Sequence, residues 1–278
     1  MDRFIRQGMR HFLALVMALW ASLAAAQDTN LQSLDTGESS RGWQSVGRLD
    51  IAGSGFCTAS LISETMIITA AHCVYADDGS LIPAKNFTFL AGLRDDRAMA
   101  TRAVIKVTPH PDYRHHGEKP QDGAVAVDLA VLELERPVRL PSLTPYGIGP
   151  TPTVQADVAV VSYARDRANA ASLQRVCHVL DQSRGVLMMS CSADFGASGA
   201  PVFWTQNGQS RIVAIVSAMG TSNGKQVSLA VAAASAIDAV LIAHRSNQGQ
   251  ITQAPQAPQP RFTSSGTRND TGAKFVRP

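Results

Sequence analysis

The sequence predicts an all-β protein that contains two β modules of similar length and ends in a short helix. Between about residue 43 and residue 240, short apolar runs rich in Val, Ile and Leu alternate with turn residues, at spacings typical of a β-sandwich or β-barrel. A segment with four prolines, from Arg136 to Pro150, interrupts this series near its middle. We therefore place the two modules at about 43–135 and 151–235.

The first 26 residues have the pattern of a secretory signal peptide. Three arginines within the first ten residues precede an apolar stretch that ends in three alanines, the small-residue pattern that signal peptidases accept. We expect cleavage near Ala26 and export of a chain beginning around Gln27, to the periplasm or outside the cell. After that cleavage we expect no stable membrane insertion.

The end of the chain, residues 246–278, predicts a flexible tail. It is rich in Gln, Pro, Ser, Thr and Gly and offers few apolar side chains for burial. The whole chain has a formal net charge of +3, but the two ends hold an excess of basic residues and the body between them is mildly acidic. This distribution gives no basic face for nucleic acid, so we expect no nucleic-acid partner.

One helix is predicted after the second module, in SAIDAVLIAHRS. Ser235 is placed to cap its start, and Ile237, Val240 and Leu241 share one face at helical spacing. We expect this helix to close the folded domain, which spans 27–245.

The four cysteines, Cys57, Cys73, Cys177 and Cys191, all follow the signal segment. They allow three pairings, and their placement favours two local loops, Cys57 with Cys73 and Cys177 with Cys191. In an oxidising compartment each bond would add about 3 kcal/mol by restricting the unfolded chain. A structural metal site is the alternative, but the spacings lack the close Cys-x-x-Cys pairs typical of zinc sites, so we expect no metal.

Two polar residues lie in apolar surroundings that call for an explanation. His72 ends an apolar strand in IITAAHCV, where a bond from Cys73 to Cys57 would hold its imidazole still, as a general base requires. Asp128 lies inside the apolar run AVAVDLAVLEL, where a carboxylate is costly to bury without a partner such as a histidine. The simpler alternatives are a histidine packed at a strand end and an aspartate that points outward.

Ser198 lies in CSADFGASGAP, with Gly196 before it and Gly199 after it. Glycine and serine together are ordinary turn chemistry. This stretch alone therefore fits a loop as well as it fits a nucleophile on a tight turn.

Together, the segments TAAHC, DLAVLEL and GASGAP resemble the trypsin/chymotrypsin-like serine peptidases, and more specifically their exported bacterial branch. The resemblance covers about 43–245, and His72, Asp128 and Ser198 follow the chain order of that family's catalytic triad. It implies two six-stranded antiparallel β-barrels of the chymotrypsin type with a short C-terminal helix. It also implies a monomer that acts on a polypeptide substrate without a cofactor.

The resemblance assigns a role to each site residue. Ser198 would attack the scissile carbonyl, His72 would act as general base and acid, and Asp128 would orient His72. The backbone N–H groups of Gly196 and Ser198 would form the oxyanion hole. Ser192 and the strand residues Ser217, Ala218, Met219 and Gly220 would bind substrate, the strand by pairing with an extended peptide.

Two positions depart from the family pattern. Many members carry an aspartate just before the nucleophile, which pairs with an N-terminus freed by zymogen cleavage, whereas this chain has Ala197 and no matching activation site. Members selective for Lys or Arg carry an aspartate six residues before the nucleophile, where this chain has Ser192. We therefore expect activity without that cleavage and no preference for basic side chains.

Two other functions compete with an active peptidase. An α/β-hydrolase esterase needs Gly-x-Ser-x-Gly and the order Ser, acid, His, whereas the Ser198 stretch has Ala200 in place of the last glycine and the candidate residues follow the reverse order. The second alternative is a catalytically silent peptidase homologue that works as an exported binding or scaffold protein, and Ala197 keeps that alternative open.

Overall fold

The computed structural model describes residues 31–115, 123–164, 166–191, 196–246 and 250–251. In these ranges the strands are β1 (Leu31–Ser33), β2 (Val46–Ile51), β3 (Gly55–Leu61), β4 (Met66–Thr69), β5 (Phe87–Ala91), β6 (Ala100–Pro109), β7 (Ala130–Leu134), β8 (Asp157–Ala164), β9 (Arg167–Ser183), β10 (Val186–Met189), β11 (Pro201–Gln206), β12 (Gln209–Ser222), β13 (Lys225–Ala232) and β14 (Gln250–Ile251). The helical elements are three short 3-10 turns and one α-helix: η1 (Ala71–Val74), η2 (Ala84–Asn86), η3 (Val125–Val127) and α1 (Ala233–Arg245). Among the described helices, none is long and apolar enough to cross a membrane.

The first module is a closed antiparallel barrel. Its strands follow the order β6-β5-β2-β3-β4-β7, and the pairing of β6 with β7 closes the ring. Alternation in FTFLA of β5 turns Phe87 and Phe89 into the barrel, where both rings are fully buried. The short strand β14 adds to the outside of β6.

The second module is also a closed antiparallel barrel. Its strands follow the order β8-β9-β10-β13-β12-β11, and β8 pairs with β9 to close it, while β1 adds to β9. Apolar side chains such as Val160, Val179, Leu187 and Val213 fill its interior. The predicted fold class, two six-stranded antiparallel barrels followed by a short C-terminal helix, is therefore confirmed.

The start of the helix differs from the prediction. Helix α1 begins at Ala233, directly after β13, and Ala232 occupies the cap position without a side-chain hydrogen bond. Ser235 therefore lies inside the first turn, where its hydroxyl donates to the Ala232 carbonyl at 2.8 Å. The expected capping role of Ser235 is wrong because Ala233 and Ala236 are already buried against the barrels, which extends the helix back to the end of the strand.

Some of the sequence predictions concern residues that the structure does not describe. The expected signal peptide, residues 1–26, and Ser192 lie outside the described residues. So does most of the expected tail, although Gln250 and Ile251 pair with Val107 and Lys106 of β6.

Candidate active site

His72 lies in η1, the turn that follows β4, and a disulfide anchors this turn. Cys73 is bonded to Cys57 of β3, and Cys177 is bonded to Cys191, so both predicted pairs form. Because Cys73 is the next residue in the chain, the backbone of His72 is tied to the neighbouring strand. The sulfur atoms of Cys57 and Cys73 lie close to the His72 ring, but a disulfide offers no thiolate for a metal ion.

His72 and Asp128 contact each other twice, although 56 residues separate them in sequence. The backbone N–H of His72 donates to Asp128 Oδ1 at 2.8 Å, and the ring Nδ1 lies 2.7 Å from Oδ2. Since a carboxylate oxygen accepts, Nδ1 carries the donated proton and Nε2 keeps a lone pair. The Asp128 side chain is 4 % exposed and that of His72 is 28 % exposed, so the ring stands between a buried acid and solvent.

Ser217 adds a third donor to the same carboxylate. Its hydroxyl donates to Asp128 Oδ2 at 2.5 Å, from strand β12 of the second barrel to a residue that follows η3 in the first. The structure therefore gives Ser217 a contact other than the substrate pairing predicted from the sequence. With three donors on two oxygens, the burial of Asp128 is explained.

The pKa of His72 is raised above its ordinary value of 6.5. Burial lowers it, but the charge of Asp128 and the hydrogen bond from Nδ1 together outweigh burial. The protonated ring is thus favoured by its partner, as a group that must accept a proton during a reaction requires.

Ser198 lies on a tight turn that packs against the first barrel. Its carbonyl accepts a hydrogen bond from the Thr58 N–H at 2.9 Å, and the next N–H, that of Gly199, donates to the Val216 carbonyl at 2.9 Å. Gly199 has φ of +78°, and a Cβ there would lie 2.1 Å from Thr69 Oγ1 and 2.3 Å from the Thr58 carbonyl oxygen. Only glycine fits this approach, which brings the serine turn to the end of β4, close before His72.

The hydroxyl of Ser198 is not hydrogen-bonded to His72. Among the described residues no hydrogen bond joins the two side chains, and His72 Nε2 lies 3.8 Å from Cys73 Sγ. The structure therefore joins His72 and Asp128 directly, whereas backbone contacts with Thr58 hold Ser198 near the end of β4.

Gly196 is also confined. Its φ is +96°, and a Cβ would lie 2.6 Å from Cε2 of Phe56 and 3.0 Å from Cα of Ala164. Its carbonyl accepts a hydrogen bond from Thr58 Oγ1 at 2.9 Å. The glycine to which the resemblance gives an oxyanion-hole role is thus held in the left-handed region that glycine tolerates best.

The predicted substrate strand lies in β12. Ala218, Met219 and Gly220 pair with β13 on one side. On the other side, β11 pairs with β12 only as far as Ile215, so in the described chain this edge has no strand partner beyond that point. Met219 is 41 % exposed on this segment.

Ala197 is buried in the core of the second barrel, among Cys191, Val202 and other apolar side chains. No charge can be paired at this position. Thr58 has no role predicted from the sequence, although a hydroxyl inside the buried run CTASL of β3 needs a partner, as Asp128 does in its apolar run.

The comparison with protein families decides the family. The model described as trypsin-like peptidase domain matches residues 53–215, which include His72, Asp128 and Ser198. The chain belongs to the trypsin-like peptidase family.

Curated relatives of this peptidase domain match over shorter stretches. Coagulation factor IX of Oryctolagus cuniculus is 31% identical over 87 residues, which is 31% of this chain and 29% of that protein. A serine protease of Anopheles gambiae is 37% identical over 87 residues, which is 31% of this chain and 27% of that protein. The matches therefore span less than a third of either relative.

Solved structures share the fold over most of the peptidase domain. A Glu endopeptidase solved in complex with MPD superposes with a TM-score of 0.63 at 18% identity, covering 77% of this chain and 96% of that one. An inactivated protease paralogue of the scabies mite gives 0.59 at 14% identity, covering 76% of this chain and 96% of the paralogue. At these identities the likeness concerns the fold alone.

Proposed function

We propose that this protein is an exported serine endopeptidase that hydrolyses peptide bonds through an acyl-enzyme. The observation that carries the proposal is the doubly hydrogen-bonded pair of His72 and Asp128, with the Ser198 turn packed against the strand end that leads to His72. The two disulfides support export to an oxidising compartment, either periplasmic or extracellular.

The first half of the reaction forms a covalent ester. His72 Nε2 takes the hydroxyl proton of Ser198 as Oγ bonds to the scissile carbonyl carbon, while Asp128 holds the ring and stabilises its protonated form. The carbonyl oxygen becomes an oxyanion that accepts hydrogen bonds from the N–H groups of Gly196 and Ser198. The tetrahedral adduct then collapses, and the leaving amine takes the proton from His72.

Water completes the cycle in the second half. His72 removes a proton from water, the hydroxide attacks the acyl carbon, and the Ser198 oxygen leaves with the proton that His72 returns. Among the described residues, no strand pairs with the outer edge of β12 at residues 217–220, and this edge supports binding of an extended peptide by strand addition. No metal or organic cofactor enters any step.

Labelling with a fluorophosphonate tests this proposal on the exported protein. We expect covalent labelling that is lost in Ser198→Ala, together with cleavage of a peptide library by the unmodified protein alone. Turnover should fall by roughly 10⁴-fold or more in Ser198→Ala.

The competing function is a silent homologue that binds without catalysis. Ala197, where many relatives carry an ion-pairing aspartate, is the observation in its favour. Absence of specific labelling in the folded protein would support this second function and overturn the first.

A further inference from the structure

Thr58 contacts both residues of the proposed oxyanion hole. Its backbone N–H donates to the Ser198 carbonyl at 2.9 Å, and its hydroxyl donates to the Gly196 carbonyl at 2.9 Å. The same hydroxyl accepts the backbone N–H of Tyr163 at 3.0 Å. Thr58 is fully buried, so none of these groups has water as an alternative partner.

These contacts connect the two barrels at the serine turn. Thr58 belongs to β3 of the first barrel, Tyr163 belongs to β8 of the second, and Gly196 lies in the turn between β10 and β11. The carbonyl of Thr58 in turn accepts the hydroxyl of Thr69 at 2.8 Å. The side chain of Thr58 therefore links the serine turn to β3 of the first barrel and β8 of the second.

The hydroxyl of Thr58 restricts rotation at Gly196. Glycine has wide backbone freedom. The Phe56 ring excludes a side chain at position 196, but it does not by itself fix the backbone of Gly196. The hydrogen bond from Thr58 Oγ1 holds the peptide plane that contains the Gly196 carbonyl, and the donor itself is fully buried. The carbonyl belongs to the peptide that follows Gly196, so with φ at +96° the same hydrogen bond limits the directions open to the Gly196 N–H on the other side of the Cα.

An ion pair is not needed for this arrangement. Ala197 packs in the second core, and the segment before β2 is joined to the second barrel, because β1 pairs with β9 and the N–H of Leu34 donates to the Ala171 carbonyl. We propose that the Thr58 hydroxyl is a positioning group that replaces the zymogen ion pair and holds the oxyanion hole ready in the uncleaved chain. This inference rests on the proposed peptidase function.

The test uses the exported protein with its N-terminus verified by mass spectrometry. Thr58→Val removes the hydroxyl and keeps the shape, Thr58→Ser keeps the hydroxyl, and Ser45→Ala is the control. Ser45 is buried, and its hydroxyl donates at 2.7 Å to the Thr144 carbonyl in the segment that joins the barrels. Its loss therefore removes a comparable buried hydrogen bond without touching the serine turn.

We expect Thr58→Val to lower kcat by about 10-fold to 100-fold, less than the loss of a whole oxyanion donor, with KM within about 3-fold. Affinity for a peptide aldehyde, which forms a tetrahedral adduct, should fall in parallel with kcat. Thr58→Ser should recover most of the activity, and Ser45→Ala should keep it. If Thr58 had only a structural role, Thr58→Val would not lower kcat selectively over KM, and Thr58→Ser would not restore the activity.

Several outcomes would overturn the inference. They are an unchanged kcat in Thr58→Val, equal damage in Thr58→Ser, or a wild-type protein that labels only after N-terminal cleavage. If Thr58→Val does not fold, Thr58→Ala is read in the same way; failure of both variants to fold, with Thr58→Ser folded, would show a role in the whole fold instead. A folded wild-type protein that never labels, cleaved or uncleaved, contradicts the proposed function itself.

Discussion

At the scale of single residues, the chemistry of the site depends on how Asp128 is held. Its two oxygens receive the backbone N–H and the ring N–H of His72 and the hydroxyl of Ser217. Asp128 binds both the backbone N–H and the ring N–H of His72, so the imidazole cannot rotate without breaking a charge-assisted hydrogen bond. In the proposed reaction, the ring orientation that keeps Nε2 available as a base is therefore set before substrate binds.

The pH dependence of catalysis should report this arrangement through Asp128→Asn. The His72 pKa lies above 6.5 in the native protein because the charge and hydrogen bond of Asp128 outweigh burial. Without that charge burial lowers the pKa unopposed, so the acid limb of kcat/KM should move to lower pH. Turnover should also fall by about 10⁴-fold, because an amide does not select the correct tautomer.

The measurement is a pH profile of kcat/KM for wild type and variant, with circular dichroism as a check of folding. Protonation of His72 removes the base, so wild-type activity should disappear as the pH falls through the His72 pKa. An acid limb at the same pH in both proteins would show that Asp128 does not set this pKa.

The contact from Ser217 leads to a second residue-scale prediction. Ser217→Ala deletes a hydrogen bond to a charged group, an interaction that contributes about 1.5–3 kcal/mol. We expect kcat/KM to fall by roughly 10-fold to 100-fold, as a loss of that size implies. In the Asp128→Asn background the same change should cost little, because coupled contacts are not additive. Additive losses in this double-mutant cycle would disprove the coupling.

At the scale of elements, the site consists of two short turns pressed against each other. The turn from Gly196 to Gly199 has glycine in the left-handed region at both ends, and it packs on the end of β4. The other turn, η1, carries His72 and is tied to β3 by the disulfide. Steric contacts at Gly199 constrain the serine turn, and the Cys57–Cys73 disulfide constrains η1.

Gly199→Ala tests the steric constraint, with Gly208→Ala as its matched control. Both glycines have similar positive φ, +78° and +76°, but a Cβ at 199 overlaps Thr69 and the Thr58 backbone while one at 208 meets nothing within 4 Å. Left-handed strain alone costs roughly 1–2 kcal/mol, which is what we expect for Gly208→Ala. The loss for Gly199→Ala should be clearly larger, and urea unfolding measures the difference.

Activity provides a second measurement on these glycine variants. Gly208→Ala should keep its peptidase activity, whereas Gly199→Ala should lose it even where the protein remains folded. Equal unfolding free energies for the two variants would contradict the close packing of the serine turn.

The two disulfides allow stability and catalysis to be separated. Their sequence separations are 16 and 14 residues, so removal of either pair by Cys→Ala changes should cost a similar amount, about 3 kcal/mol on the loop-closure estimate. Only the loss of Cys57–Cys73 releases the turn that carries His72. At a temperature where both double variants are folded, we expect lower kcat in that variant alone; an equal loss in both would contradict the anchoring role.

At the scale of the whole molecule, the two barrels share a core. The larger apolar cluster contains Leu49 and Phe89 of the first barrel together with Tyr163, Phe203 and Ile215 of the second. The catalytic candidates lie along this junction, since Asp128 and His72 come from the first barrel and Ser198 and Ser217 from the second. Packing between the barrels therefore controls the distances on which the proposed catalysis depends.

The sequence predicts features that depend on neighbouring residues better than contacts between residues far apart in the chain. Alternation and turn residues reveal strands because they are local, and the cost of burying Asp128 correctly indicated a partner. The resemblance places Ser217 in the substrate strand, and its contact with Asp128 lies at a register shift between Val216 and Ala218 that periodicity does not reveal. The hydroxyl of Thr58 reaches a carbonyl 138 residues away, a pairing that no local pattern contains.

The shared core predicts that both barrels unfold together. The ring of Phe203 is buried with its centroid 5.0 Å from that of Trp43 and 4.7 Å from that of Tyr146, both edge-to-face. Phe203→Ala should cost about 3–5 kcal/mol, and Phe203→Leu much less because it leaves a smaller cavity. Since the cluster is continuous, this loss should move one cooperative transition to lower urea concentration and leave no separate barrel folded. Tryptophan fluorescence and far-ultraviolet circular dichroism should give coincident midpoints in every variant, and two separated transitions would show that the barrels fold independently.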